Sequence, residues 1–386
     1  MSQKKKTLLF AWMFILFSCT GKKDVLMYVG TYTDGDGDDS EGIYSFYFDE
    51  YTGTLAPAFE TENEENPSFV EISPDQKYLY AVSEVKEKGP AAFDSGGSVT
   101  AYQILENGEL KKINKSSTLG DHPCHVTVSP DGKTIVAANY SSGSLSFFQV
   151  NQDGSLSKAF QKIQHSGTTG PDDADRQEEE KPHAHSSQFT PDGSLLISAD
   201  LGTDQLNIYQ KDEVGAYYMP AAQPFVEMKP GSGPRHFAFS SDGEFLYVMN
   251  ELTAKVTTLR LKDQQYEVVD EVSALPESFD GLKSGADIHL STDGKYVYSS
   301  NRGHNSIAVF ERNSETGTLR LIENEPVQGD WPRNFAISPQ GKFLLVANQK
   351  SNNIAVFKID TASGMLEYTG TSLKVPSPVC LKFLVR

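Results

Sequence analysis

Between Lys181 and Arg302 the chain concentrates side chains able to do acid–base or anion chemistry: His183 and His185 on either side of Ala184, the pair Arg235-His236, then Glu251 and Arg302. A neutral imidazole or a carboxylate can take a proton from water, while guanidinium groups stay charged and grip carboxylate or phosphate through paired hydrogen bonds. Such a set suits attack of water on a carbonyl, with one arginine where negative charge develops and another on an anionic end of the substrate. No Gly-x-Ser-x-Gly elbow accompanies the histidines, which favours direct water attack over a serine acyl-enzyme. No Cys/His spacing suits a metal either, so neither metal nor cofactor is expected.

These residues are distant in sequence, and a repeat is what can unite them. Turns of the form Ser129-Pro130-Asp131-Gly132 and Thr190-Pro191-Asp192-Gly193 recur in degenerate copies beginning at Ser73, Ser240, Ser291 and Ser338. Each lies between two short apolar alternations, such as His125-Val126-Thr127-Val128 and Thr134-Ile135-Val136-Ala137, which is the pattern of a β-hairpin. A third alternation follows (Ser306-Ile307-Ala308-Val309-Phe310), and a Gly-x-Leu turn such as Gly317-Thr318-Leu319 leads to a fourth. Four short antiparallel strands at a period of roughly 45 to 60 residues predict an all-β fold, a β-propeller of four-stranded blades. Six turns account for six blades. The two ends supply a seventh: residues 27–31, 43–48 and those after Gly53-Thr54-Leu55 read as its second, third and fourth strands, and residues 377–384 as its first. Joining them closes a seven-bladed ring without an open sheet edge.

The register locates the chemistry. The sixth residue before the Pro slot of each turn is Ser68, Cys124, His185, Arg235, Ala286 and Arg333, and the tenth after it is Glu84, Tyr140, Leu201, Glu251, Arg302 and Gln349. The hairpin folds back midway, so both slots fall at one end of their strands and, repeated radially, around one mouth of the central channel. His185, Arg235, Arg333, Glu251 and Arg302 are therefore expected in one funnel, with His125, His183, His236, Asp287 and Asn334 filling out its wall. Two plainer readings stand beside this. Glu251 would merely pair with Arg235 or Arg302, and His125 and His236 would be hydrogen-bonding wall residues.

Residues 1–19 read as an export signal: Lys4, Lys5 and Lys6 precede an apolar run from Leu8 to Phe17 that is too short to span a bilayer. Ser18-Cys19 at its end resembles a lipoprotein cleavage site. This predicts lipidation at Cys19, a single propeller domain over residues 20–386, and a periplasmic or outer-membrane-associated location. The formal net charge of −18, more acidic still without the signal lysines, argues against nucleic-acid partners. Contact with membrane is expected only through the lipid. Cys124 and Cys380 fall on first strands of different blades and read as small core residues rather than a disulfide. The acidic run from Asp34 to Asp39 lacks the glycine of a calcium loop and reads as a solvated hairpin, and the long acidic connection of residues 170–180 as a lid, a binding loop or a disordered segment.

Several of these runs resemble the seven-bladed propeller lactonase family, which includes the propeller type of 6-phosphogluconolactonase and a fungal carboxymuconate cyclase. They are Arg176-Gln177 ahead of Pro182-His183-Ala184-His185, Asp200-Leu201-Gly202 with Asp204, Gly233-Pro234-Arg235-His236, Asn250-Glu251, and Asn301-Arg302-Gly303 with Asn305-Ser306-Ile307. The resemblance covers essentially everything after the signal. It implies a lactone hydrolase acting on a small anionic lactone, with a site made of His183, His185, Arg235, Glu251 and Arg302. Catalytic roles are expected for His185, Glu251, Arg235 and Arg302, substrate contacts for His183, Arg176, His125, His236 and Arg333, and a monomer for the protein. Glu251 or His185 would be the base. The extra acids Glu178 to Glu180, the enlarged loop at Asp34 and the export signal depart from the family pattern. A lactone-forming cyclase and a non-catalytic surface propeller that binds an anionic glycan or protein are the competing readings.

Overall fold

Each Ser-x-Asp turn is closed by its own side chains. The Ser129 hydroxyl donates to Asp131 at 2.6 Å and accepts the Thr134 N–H at 2.9 Å. Equivalent hydroxyl–carboxylate pairs recur at Ser73/Asp75, Thr190/Asp192, Ser240/Asp242 and Ser291/Asp293. In the sixth turn Gln340 replaces the aspartate, and its N–H donates to Glu50, far off in sequence, at 2.9 Å.

The hairpins assemble as expected. The computed structural model describes residues 24–34, 40–62, 64–86, 96–167 and 181–386. Among these the strands form seven four-stranded antiparallel sheets. Six follow chain order. In the seventh, Pro378–Leu384 lies beside Val25–Thr31, followed by Gly42–Asp49 and Thr54–Glu62. This is the closure predicted from the two ends. The expectations at Cys19, Arg176, the acidic residues 170–180 and most of the Asp34–Asp39 loop lie outside the described residues. Cys124 and Cys380 are both free and buried.

Adjacent blades are glued by a repeated contact. Tyr28, Tyr80, Tyr247 and Tyr298, on second strands, donate their hydroxyls to the carbonyls of Gly108, Gly154, Gly317 and Gly364, the glycines of the next blade's Gly-x-Leu turns. Apolar clusters span the seams as well; where the sixth blade meets the closing blade, Phe343 contacts Phe48 edge to face at 5.5 Å.

The innermost strands carry a further device. In six blades their pairing with the second strand slips at one place, between Pro123 and His125, Ala184 and Ser186, Pro234 and His236, Gly285 and Ile288, Pro332 and Asn334, and, in the closing blade, Pro378 and Cys380. Simple alternation would send neighbouring side chains to opposite faces, but a bulge re-aims one of them. Arg235 and its neighbour His236 consequently both face the channel.

Candidate active site

The strand ends that carry the site are set by left-handed residues in the turns between second and third strands. Asp204, Asn305 and Asn352 adopt φ of 51°, 53° and 56°, a conformation that Asn and Asp tolerate better than most residues. Their side chains reach the loop that enters the next innermost strand. Asp204 accepts the N–H groups of Gly231 and Gly233 at 2.6 and 2.7 Å, just ahead of Pro234-Arg235. Asn305 accepts the Trp331 N–H at 2.9 Å, ahead of Pro332-Arg333, and Asn352 accepts that of Ser377 at 2.8 Å. The motifs around Asp204 and Asn305 thus aim arginines.

At the mouth, Glu251 lies between two guanidiniums. Its Oε2 is 2.9 Å from Arg235 Nε and its Oε1 2.8 Å from Arg302 Nη2. Both arginines are also anchored to carbonyls of the fifth blade, Arg235 to Ala286 at 2.7 Å and Arg302 to Gly285 at 3.0 Å. Arg302 stacks over the Trp331 ring at 5.2 Å, and its Nε is buried with no hydrogen-bond partner in the protein. Across the channel, Arg333 donates to the Tyr32 hydroxyl at 2.8 Å, and Tyr32 donates to Glu84 at the same distance. Ser68 also donates to Glu84. Beneath lies a small cavity of about 10 Å³, room for a single water molecule, walled by His185, His236, Cys124, Arg235, Arg333 and Phe69.

Three guanidiniums here face two carboxylates, and the histidines add no charge. Burial, then Arg235, hold the His185 imidazole well below its usual pKa; burial and Arg235 bring His236 to about 4 against the pull of Asp287. Burial pushes the Glu251 carboxyl up, but Arg302 and Arg235 outweigh it and keep the group ionised below the ordinary carboxylate range. Burial lowers Arg235 only to about 10, so it remains a cation at neutral pH. The chamber therefore has a net positive charge in a desolvated setting, where an anion or a developing oxyanion is held most strongly. Burial raises the Cys124 thiol, which removes it as a thiolate nucleophile.

The residues expected in one funnel divide. His185, Arg235, Glu251, Arg302 and Arg333 converge as their register implied. His183 stacks on Tyr140 at 4.4 Å while His185 meets the same ring edge-on at 5.5 Å, so His183 backs the wall rather than facing the cavity. His125, Asp287 and Asn334 are not part of this funnel. They line a second cavity of about 660 Å³ at the opposite mouth, and Phe69 and His236 form the waist between the two. The bulges, by re-aiming residues along the innermost strands that carry them, produce this split. Tyr32 and Trp331 were not found from the sequence: Tyr32 occupies the slot after a second strand in the one blade that has no turn to count from, and Trp331 precedes its strand. Aligning strand ends rather than turns, Thr31-Tyr32 against Asn139-Tyr140 and Asn250-Glu251, would have found Tyr32.

The profile of the family described as "Lactonase, 7-bladed beta-propeller" matches residues 26–383. A 6-phosphogluconolactonase of Bacillus subtilis is 37% identical over 360 residues, covering 92% of this chain and 97% of that protein. One from Formosa agariphila is 37% identical over 317 residues, covering 81% and 86%. Among solved structures, the periplasmic gluconolactonase of Pseudomonas aeruginosa superposes with a TM-score of 0.86 at 34% identity, over 94% of this chain and 99% of that one.

Proposed function

The chain belongs to the seven-bladed β-propeller lactonase family, and from that premise we propose that its chamber hydrolyses a sugar-derived or other acidic lactone by direct attack of water. The observation that carries the substrate class is the buried excess of arginine over carboxylate around a cavity sized for one water. Arg302 and Arg333, at the mouth, hold the carboxylate or phosphate of the substrate. Arg235, deepest of the three, faces the carbonyl oxygen as it becomes an oxyanion. Water adds to the carbonyl carbon, the tetrahedral intermediate re-forms the carbonyl, and the ring C–O bond breaks to leave a hydroxy acid. The proton leaving the water returns to the ring oxygen through a side chain facing the chamber.

The substrate is met outside the cytoplasm. The apolar run ending at Cys19 supports export and lipid anchoring, and a relative named as a periplasmic gluconolactonase is consistent with that location. Cys19→Ser should leave the precursor unprocessed or free the protein from the membrane fraction; unchanged fractionation and maturation would rule out the anchor.

A panel of aldonolactones with and without phosphate, monitored by acid release, tests the activity. Turnover is expected, fastest for the anionic lactones. Absence of turnover, with anions still raising the melting temperature, would replace the enzyme by a binding module.

A further inference from the structure

Hydrolysis of a lactone requires one group that takes a proton from water and then delivers it to the ring oxygen. Glu251, His185 and His236 all border the region where this happens, and their surroundings differ. Both oxygens of Glu251 face guanidiniums, so protonation would break two ion pairs. The His185 ring is surrounded by Tyr140, the Cys124 sulfur and Arg235. Among the described residues no carboxylate contacts it to support a positive charge. His236 is different. Its Nδ1 lies 2.7 Å from Asp287 Oδ1, while its Nε2 is buried without a hydrogen-bond partner. Asp287 is itself buried and fixed by its other oxygen, which accepts from His289 Nε2 at 2.9 Å and Asn334 Nδ2 at 2.5 Å.

The His236 ring stands at the waist of the channel. It is 5.3 Å from the His185 ring, and it borders both the one-water cavity above and the 660 Å³ cavity below. The bulge between Pro234 and His236 puts it beside Arg235, the residue placed at the oxyanion.

We infer that His236, oriented by Asp287, is the proton shuttle of the lactonase reaction, an inference that rests on the hydrolase reading given above. Asp287 holds the proton on Nδ1, so Nε2 carries the lone pair. Nε2 accepts a proton as the water oxygen bonds to the carbonyl carbon. The imidazolium formed is stabilised by the Asp287 carboxylate, and it returns that proton to the ring oxygen as the C–O bond breaks. Nothing else is consumed. His236 becomes a catalytic residue and Asp287 a positioning residue.

The experiment uses whichever lactone of the panel the wild-type protein turns over best, with His236→Gln, His236→Ala, Asp287→Asn, the double variant His236→Ala/Asp287→Asn and His185→Gln, each checked for folding by its melting transition. His236→Gln should lower kcat by on the order of 10² to 10⁴-fold and change KM by less than about threefold. Imidazole in solution, reaching the site through the lower cavity, should restore part of the turnover of His236→Ala, and more basic substituted imidazoles should restore more. Asp287→Asn should also lower kcat, yet cost little when His236 is already alanine, because the two act as one unit; a merely structural Asp287 would add its full loss. Full kcat in His236→Gln would overturn the assignment, and so would rescue that ignores basicity or loss and rescue that track position 185 instead. If wild type hydrolyses no lactone, the hydrolase reading fails first and takes the shuttle with it; active wild type with equally active His236→Gln sinks the shuttle alone.

Discussion

Arg235 and Arg302 are held in place before any ligand arrives, each by a backbone carbonyl and by the shared Glu251 carboxylate. Arginines fixed in this way need little rearrangement to receive charge, the condition under which electrostatic stabilisation of a transition state is most effective. Removing either should cost one hydrogen bond to a charged group, about 1.5 to 3 kcal/mol, or roughly 10- to 150-fold, in affinity for Arg302 and in kcat for Arg235. Arg302→Ala should accordingly weaken binding measured by calorimetry, and more for a lactone analogue bearing carboxylate or phosphate than for a neutral one, whereas Arg235→Ala should lower kcat for charged and neutral lactones alike. Arg320 provides the control. It is exposed on the outermost strand of the fifth blade, paired with Glu311, and Arg320→Ala should leave affinity unchanged. Equal losses of affinity for charged and neutral ligands in Arg302→Ala would mean that Arg302 only supports the fold.

The Gly-x-Leu turns matter at the level of the blade. Gly317 has φ of +73°, and a Cβ there would lie 2.2 Å from Cδ1 of Phe245 in the preceding blade, the same blade whose Tyr247 reaches its carbonyl. Gly294, in a Ser-x-Asp-Gly turn, has nearly the same φ of +70° but open space around the position of a Cβ. Gly294→Ala should therefore cost only the left-handed strain of about 1 to 2 kcal/mol, whereas Gly317→Ala adds a clash that prises two blades apart. Its melting temperature should fall clearly further than that of Gly294→Ala. Matching losses would show that the seam yields without cost.

For the molecule as a whole, stability depends on the ring being closed. Pro378–Leu384 pairs along its length with Val25–Thr31 and is the innermost strand of the closing blade. It also touches both neighbouring blades, through Asn334 to the Leu381 N–H and through Lys382 to Glu71. Deleting residues 377–386 removes that strand and leaves an unpaired sheet edge lining the channel, so a single cooperative melting transition should be lost. A truncated chain that melts like the intact one would show that closure contributes nothing.

The sequence by itself determined the repeat, the strand count, the closure and five residues that converge at one mouth of the channel, because these follow from local chemistry. Ser-x-Asp turns and alternating apolar residues specify hairpins wherever they occur, and radial repetition turns equal register into spatial convergence. His185, Arg235, Glu251, Arg302 and Arg333 were legible on that ground alone. Only the tertiary structure decided which way the residues beside them point. A bulge depends on how two strands pair, so nothing in Pro234-Arg235-His236 announces that His236 borders both cavities of the channel, or that His125 and Asp287 belong to its other mouth. The contact of His236 with Asp287 crosses from one blade to the next, and no spacing within a single repeat encodes it. Tyr32 was hidden for a related reason: its blade is built from both ends of the chain, so its register exists only once the ring has closed.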